Sequence, residues 1–215
     1  MHFLSDALES YIQNHSENEP ELLAQLTRET HLKVIQPRML TGHFQGRVLS
    51  MLSKIIQPKY ILEIGTYTGY SAICLAEGLS TDGELHTIEV NEELYELQRS
   101  YFDKSDYGKQ LIQHIGDALK IIPSLDLVFD LVFIDAGKKE YPDFFEAVLK
   151  KTKPGSIILS DNVLWTGKVV EPLDSKDAVT PILMDYNKKL KEDPRVETVL
   201  LPIRDGLTLS RVLKP

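Results

Sequence analysis

Hydrophobic positions recur along the chain with two different periods. Before residue 57 they fall three or four apart, with Leu4, Leu8, Tyr11 and Ile12 in one stretch and Phe44, Val48, Met51, Leu52 and Ile55 in another. That spacing lines one face of a helix. Ser5 can cap the first helix, Pro20 stands at the first position of a second over "PELLAQLTRETHL", and Pro58 ends the third. From residue 60 the apolar residues come instead in short runs. "YILEI" (60–64), "ELHTIEV" (84–90), "LIQHI" (111–115), "DLVFI" (130–134) and "SIILS" (156–160) read as strands. Helical patterns follow over 69–79, 91–104, 117–125, 141–152 and within 178–192. "VETVLLPI" (196–203) and "GLTLSRVL" (206–213) close the chain as strands joined by Arg204 and Asp205.

Strands alternating with helices predict an α/β fold with the sheet between helical layers. The early strands should be parallel, because helical crossovers connect them. The last pair should be antiparallel, because two residues cannot cross over. The chain reads as one domain over 1–215, with a helical cap over 1–56 and an α/β core over 57–215.

Composition narrows the function classes. A net charge of −8 disfavours a sequence-blind grip on nucleic acid, and the basic run "KKLK" (188–191) reads as a solvated helix face. The single cysteine, Cys74, has no disulfide partner within the chain and falls in an apolar helical pattern, which fits a buried thiol in a reducing compartment. No apolar run approaches the ~20 residues of a membrane span, and the N-terminus lacks the basic-then-apolar order of a signal peptide. A cytoplasmic protein is expected.

In such sheets ligands bind beyond the carboxyl ends of the strands, so those residues carry the chemistry. The first strand runs into "GTYTGYS". Its glycines are Gly65 and Gly69, with three residues between them and no third glycine, which disfavours the G-x-G-x-x-G turn of a pyrophosphate reader. A wider loop before a helix still offers N–H groups to a carboxylate or a phosphate, or is simply a tight turn. Glu89 ends the second strand, where an acid can accept both hydrogens of a ribose diol. Asp117 after the third strand is either a helix cap or an acceptor for an adenine amino group. Asp135 ends the fourth strand, and Asp161 with Asn162 ends the fifth. If those two strands are neighbours, three hard oxygen ligands converge. That set suits Mg²⁺, or Mn²⁺ or Ca²⁺, better than zinc. Lys138, three residues past Asp135, can serve as a base at the mouth of such a site. His43 can face the site from the third helix, and the other histidines form no ligand spacing.

These motifs, from "RMLTGHFQGRVLSML" through "LEIGTYTGYSA", "HTIEV", "IGDAL", "FIDAGKKEY" and "LSDNVLWTG" to "RDGLTL", resemble the cation-dependent, S-adenosylmethionine-dependent O-methyltransferases. That family includes the catechol and caffeoyl-CoA enzymes and bacterial relatives. The resemblance covers most of the chain. It implies a Rossmann-like class I methyltransferase fold, a seven-stranded, mostly parallel sheet with an antiparallel last strand, helices on both faces and extra N-terminal helices. It further implies that Glu63, Gly65, Tyr67 and Ser71 hold the methionine end of the cofactor. By the same resemblance Glu89 holds the ribose, Asp117 and Ala118 the adenine edge, and Thr41 closes over the cofactor. Asp135, Asp161 and Asn162 match the metal ligands, Asp135 also bordering the cofactor. Lys138 matches the catalytic lysine, while Met39, Lys138 and Trp165 border the acceptor.

The implied acceptor is a small molecule with vicinal oxygens. Gly137 stands where catechol enzymes carry a tryptophan against adenine, so acceptor identity does not transfer with the family. A homodimer is implied, with Phe3, Leu4, Leu22 and Leu26 open either to acceptor cover and dimer contact or to core packing. Three other functions compete: a methyltransferase acting on hydroxyuridine in transfer RNA, a nucleotide-binding module without catalysis, and a nicotinamide oxidoreductase.

Overall fold

The computed structural model describes residues 5–215; Phe3 and Leu4 lie outside the described residues. The elements in chain order are α1 (Asp6–Asn14), α2 (Glu21–Lys33), α3 (His43–Ile56), β1 (Tyr60–Ile64), α4 (Tyr70–Ala76), β2 (Glu84–Glu89), α5 (Tyr95–Phe102), β3 (Leu111–Ile115) and α6 (Ala118–Ser124). They continue with β4 (Phe129–Ile134), α7 (Tyr141–Leu149), β5 (Thr152–Asp161), α8 (Thr180–Glu192), β6 (Val196–Leu201) and β7 (Leu207–Val212). Among the described residues the strands form one seven-stranded sheet in the order β3-β2-β1-β4-β5-β7-β6. β7 runs antiparallel to both of its neighbours, and the other pairs are parallel.

Both faces of the central strands are buried, which is why they read as unbroken apolar runs. Leu62, Ile64, Ile88, Val132, Ile134 and Ile158 pack under α6, α7 and α8. Ile61, Leu85, Leu131, Phe133, Leu159 and Leu207 pack under α2, α3, α4 and α5, with Leu26 and the lone thiol of Cys74 inside that second layer. Leu26 is therefore core, while Leu22 is partly buried against the same cluster.

The structure departs from the sequence reading at element ends. Pro20 is the N-cap of α2 rather than its first residue. Asn91 does cap, but it opens a short 3₁₀ turn (Glu92–Leu94) before α5 begins. β5 starts at Thr152, earlier than read, because a register irregularity against β4 at Phe129/Leu131 lets "TKPG" join the strand. The connection between β6 and β7 spans residues 202–206, longer than the two residues read. Residues 165–170 in the connection after β5 form short 3₁₀ turns broken by left-handed backbone at Thr166 and Gly167.

The topology bears directly on the site. β4 and β5 are neighbours, in register Ile134↔Ser160, so Asp135 and Asp161 leave the sheet side by side.

Candidate active site

One large cavity of 1790 Å³ opens at the carboxyl end of the sheet. That exceeds the ~300–1000 Å³ of an ordinary small-molecule pocket and leaves room for two ligands. Its wall includes Met39, Thr41, Gly65, Tyr67, Glu89, Asp117, Ala118, Asp135, Lys138, Asp161, Asn162 and Trp165. The structure thus gathers nearly all the residues singled out above. Glu63, Ser71 and His43 are not on that wall. Glu63 and Ser71 are buried in the layer beside α4, where the alternation of β1 turns the Glu63 side chain inward. The His43 Nε2 meets the Glu17 carbonyl instead.

Gly65 and Gly69 shape the first loop. Gly65 has φ +97°, and a methyl there would overlap the Asp135 carbonyl, so only glycine lets the β1 and β4 ends approach this closely. Tyr67 is itself left-handed (φ +49°) and is held from three sides. Its N–H donates to Glu89 Oε2 at 2.7 Å, Gln98 Nε2 donates to its carbonyl at 2.7 Å, and its hydroxyl donates to the Ile35 and Gln36 carbonyls at 3.2 and 3.1 Å. Glu89 Oε1 also accepts from the Val90 and Asn91 amides. The acid read as a ribose acceptor therefore also ties the loop to the strand beside it. Asp117 caps α6 through the Leu119 amide and lines the cavity, so its two readings coexist.

Beneath the loop sits a carboxylic acid in the interior. Glu63 Oε2 accepts from Thr87 Oγ1 at 2.5 Å, and its Oε1 is buried without a partner. Burial pushes its pKa up to about 8, although the Thr87 hydrogen bond and the nearby Ser71 hydroxyl oppose the shift. An orphaned buried carboxyl oxygen beneath a glycine-shaped loop that opens on the cavity fits a ligand that brings an ammonium.

The second group lies at the β4 and β5 ends. Asp161 is buried, and burial raises its pKa, with the Asp135 charge adding to the rise. Its Oδ1 accepts from the Asn162 amide at 2.8 Å, and its Oδ2 accepts from Gln45 Nε2 of α3 at 2.7 Å. Lys138 Nζ donates to Asp135 Oδ1 at 2.8 Å and to the Tyr141 hydroxyl at 2.7 Å. Tyr141, fully buried, passes its own proton toward the Ile134 and Asp161 carbonyls, at 3.0 and 2.9 Å. Asn162 takes φ +57°, a conformation asparagine tolerates, which turns the chain sharply at the site. The buried Asp161 carboxylate, the half-buried Asp135 carboxylate and the Asn162 amide stand on adjacent strand ends beside one lysine, a hard-oxygen set suited to a divalent cation.

Gln45, Gln98 and Tyr141 were not singled out from the sequence. Gln45 and Asp161 are 116 positions apart, and no local pattern announces such a pair.

Comparison with known proteins decides what this arrangement belongs to. Residues 13–213 match the family described as O-methyltransferase. The chain belongs to the O-methyltransferase family. Its relatives include caffeoyl-CoA O-methyltransferases of Petroselinum crispum, 35% identical over 96% of this chain and 91% of that one, and of Eucalyptus gunnii, 36% identical over 96% and 88%. Among solved structures, the O-methyltransferase TomG of Streptomyces achromogenes, involved in tomaymycin synthesis and determined in complex with S-adenosylmethionine, superposes with a TM-score of 0.87. It is 32% identical, with 96% of each chain covered. An O-methyltransferase of Bacillus cereus in complex with S-adenosylhomocysteine gives a TM-score of 0.88 at 29% identity, covering 96% of this chain and 97% of that one. Membership makes the chain a methyltransferase, an enzyme of the O-methylating class, and sets aside the nucleotide-binding module and the nicotinamide oxidoreductase. None of its described helices is long and apolar enough to cross a membrane.

Proposed function

We propose that this O-methyltransferase moves a methyl group from S-adenosylmethionine to a hydroxyl of a small, catechol-like acceptor with vicinal oxygens. We further propose that a divalent cation, Mg²⁺ first and Mn²⁺ or Ca²⁺ as alternatives, is held by Asp135, Asp161 and Asn162. The observation that carries the reading is the pair of carboxylates at adjacent strand ends, beside Lys138 and inside the same cavity as the glycine loop. When bound, the cofactor supplies a methyl on a positively charged sulfur, and the cation supplies charge that lowers an acceptor hydroxyl's pKa from near 10.

The protein's own residues do the rest. Glu63, buried beneath the loop with its Oε1 partnerless, supplies the negative charge that faces the cofactor's ammonium from below the cavity floor. The Gly65–Gly69 loop faces its carboxylate, Glu89 its ribose hydroxyls, and Asp117 with Ala118 its adenine edge, while Thr41 closes the near side. The acceptor lies between Met39 and Trp165. Lys138 takes or stabilises the proton of the reacting hydroxyl. As an ammonium it is a donor only, so taking the proton requires its neutral form. Tyr141 and Asp135 fix the lysine between them. Two reactants in one cavity convert their encounter into an intramolecular step, which accounts for much of the expected rate. The S-adenosylmethionine- and S-adenosylhomocysteine-bound relatives support the donor, and the caffeoyl-CoA relatives support an aromatic acceptor with neighbouring hydroxyls. Transfer RNA has no support of this kind.

The reading includes a cytoplasmic homodimer. Met51 and Ile55 on α3 and Val199 on β6 are exposed apolar residues available to a second copy. An acceptor panel tests the reading: simple catechols, a caffeoyl thioester, flavonoids and hydroxyuridine-containing transfer RNA. Vicinal-diol acceptors are expected to be methylated at least tenfold faster than their monohydroxy analogues. Equal rates for the two would remove the vicinal-oxygen requirement.

A further inference from the structure

The acceptor half of the cavity has two walls, one carrying Met39, next to Thr41 on the cofactor side, the other carrying Trp165. Each is carried on a short 3₁₀ segment between longer elements, Pro37–Met39 on one side and Trp165–Val170 on the other. The Trp165 wall is strained: Trp165, Thr166 and Gly167 follow one another with φ +48°, +54° and +87°. Left-handed backbone is costly for a β-branched threonine and persists only where neighbours impose it. The turn between β6 and β7 is what lies against it. The Val163 amide donates to the Gly206 carbonyl at 3.2 Å, the Leu164 amide to the Asp205 carbonyl at 2.9 Å, and the Thr166 amide to Asp205 Oδ1. Gly206, at φ +88°, sits so close to Leu164 that a methyl there would strike its side chain. On the other side of the same turn, Arg204 Nη1 donates to the Thr41 carbonyl, and to the Leu40 carbonyl and Gln45 Oε1 at 3.3 Å each. Asp205 is half-buried and lines the cavity with Arg204, and burial raises its pKa despite the Thr166 bond.

The geometry points to the Arg204–Asp205–Gly206 turn as a clasp that fixes both acceptor walls, with Asp205 the positioning residue that holds Trp165 against the acceptor. It acts through the Thr166 amide, and acceptor specificity is set partly by the turn between β6 and β7. The inference deepens the proposed function and rests on its assignment of this half of the cavity to the acceptor.

Trp165 is the chain's only tryptophan, so its fluorescence reports this wall and nothing else. In the full-length protein, Asp205→Ala is expected to raise acrylamide quenching of that fluorescence about twofold. It should raise acceptor KM about tenfold, the scale of one lost charge-assisted hydrogen bond, with the calorimetric Kd for S-adenosylmethionine changed less than about twofold. Asp205→Asn keeps an oxygen for the Thr166 amide and is expected to restore most of the KM and the quenching. If Asp205→Ala alters neither quenching nor KM, or if Asn is as defective as Ala, the clasp is overturned; the second result would assign a direct role to the charge. Should the alanine variant not fold, hydrogen exchange of the wild type decides: protected Thr166 and Leu164 amides support the clasp, and unprotected ones overturn it. A wild type that methylates no acceptor would sink the proposed function instead, while the quenching and exchange readouts would still judge the clasp.

Discussion

At the scale of single residues, the interior acid Glu63 gives the sharpest handle. Its pKa is raised to about 8 in the ligand-free fold and is about 4.5 unfolded. The folded state therefore holds the extra proton, and this group's contribution to stability falls as pH rises from about 4.5 to about 8. Thermal melts of the ligand-free enzyme should show that decline, and Glu63→Gln should flatten it. An ammonium-bearing cofactor needs the ionised acid, so S-adenosylmethionine should bind more tightly as pH rises toward 8. Calorimetry in buffers of different ionisation enthalpy is expected to show proton release on binding in the wild type and none from this site in Glu63→Gln. Gln45 makes a second residue-scale test. It orients the buried Asp161 carboxylate at 2.7 Å, as outer-shell partners of metal ligands do. Gln45→Leu should weaken Mn²⁺ binding, followed by its paramagnetic signal, by roughly 10- to 100-fold.

At the scale of elements, the close approach of two strand ends makes the site. Gly65→Ala would push a methyl into the Asp135 carbonyl and force φ +97° on a residue with a side chain. Loss of roughly 3 kcal/mol or more is expected, read as a fall in the urea midpoint with an unchanged slope. The elements themselves were largely legible, because apolar runs of strand length and helical periods leave different imprints. Their adjacency was legible only conditionally. "FIDAG" and "LSDN" each end a strand, but nothing local says that β4 and β5 touch; the parallel registration Ile134↔Ser160 supplies that. The residues that hold others in place were not legible. Tyr141 reads as a helix-start aromatic, Gln98 as a polar helix residue and Asp205 as part of a tight turn, and only the fold brings each to its partner. The sequence reading put Glu63 and Ser71 on the cofactor loop. Both are buried in the structure, Glu63 because alternation along β1 sends it to the same face as Phe133 and Thr87, and Ser71 within the first turn of α4.

At the scale of the whole molecule, family membership fixes the class of reaction. The acidic net charge of −8 and a cavity edged by Arg38, Lys139, Glu140 and Asp205 in mixed signs suit a small acceptor better than a nucleic acid. Exposed Met51, Ile55 and Val199 lead to an expected sedimentation mass of two chains, and Ile55→Lys should shift it toward one. The central claim is that methyl transfer runs at a cation site built from Asp135, Asp161 and Asn162. The most direct measurement follows methyl transfer from labelled S-adenosylmethionine to a catechol acceptor, with EDTA and then with Mg²⁺ or Mn²⁺ restored. Activity should fall at least about 100-fold with chelator, return with the cation in the wild type, and fail to return in Asp161→Ala. Full turnover in the presence of EDTA, or an Asp161→Ala variant as active as the wild type, would contradict the account.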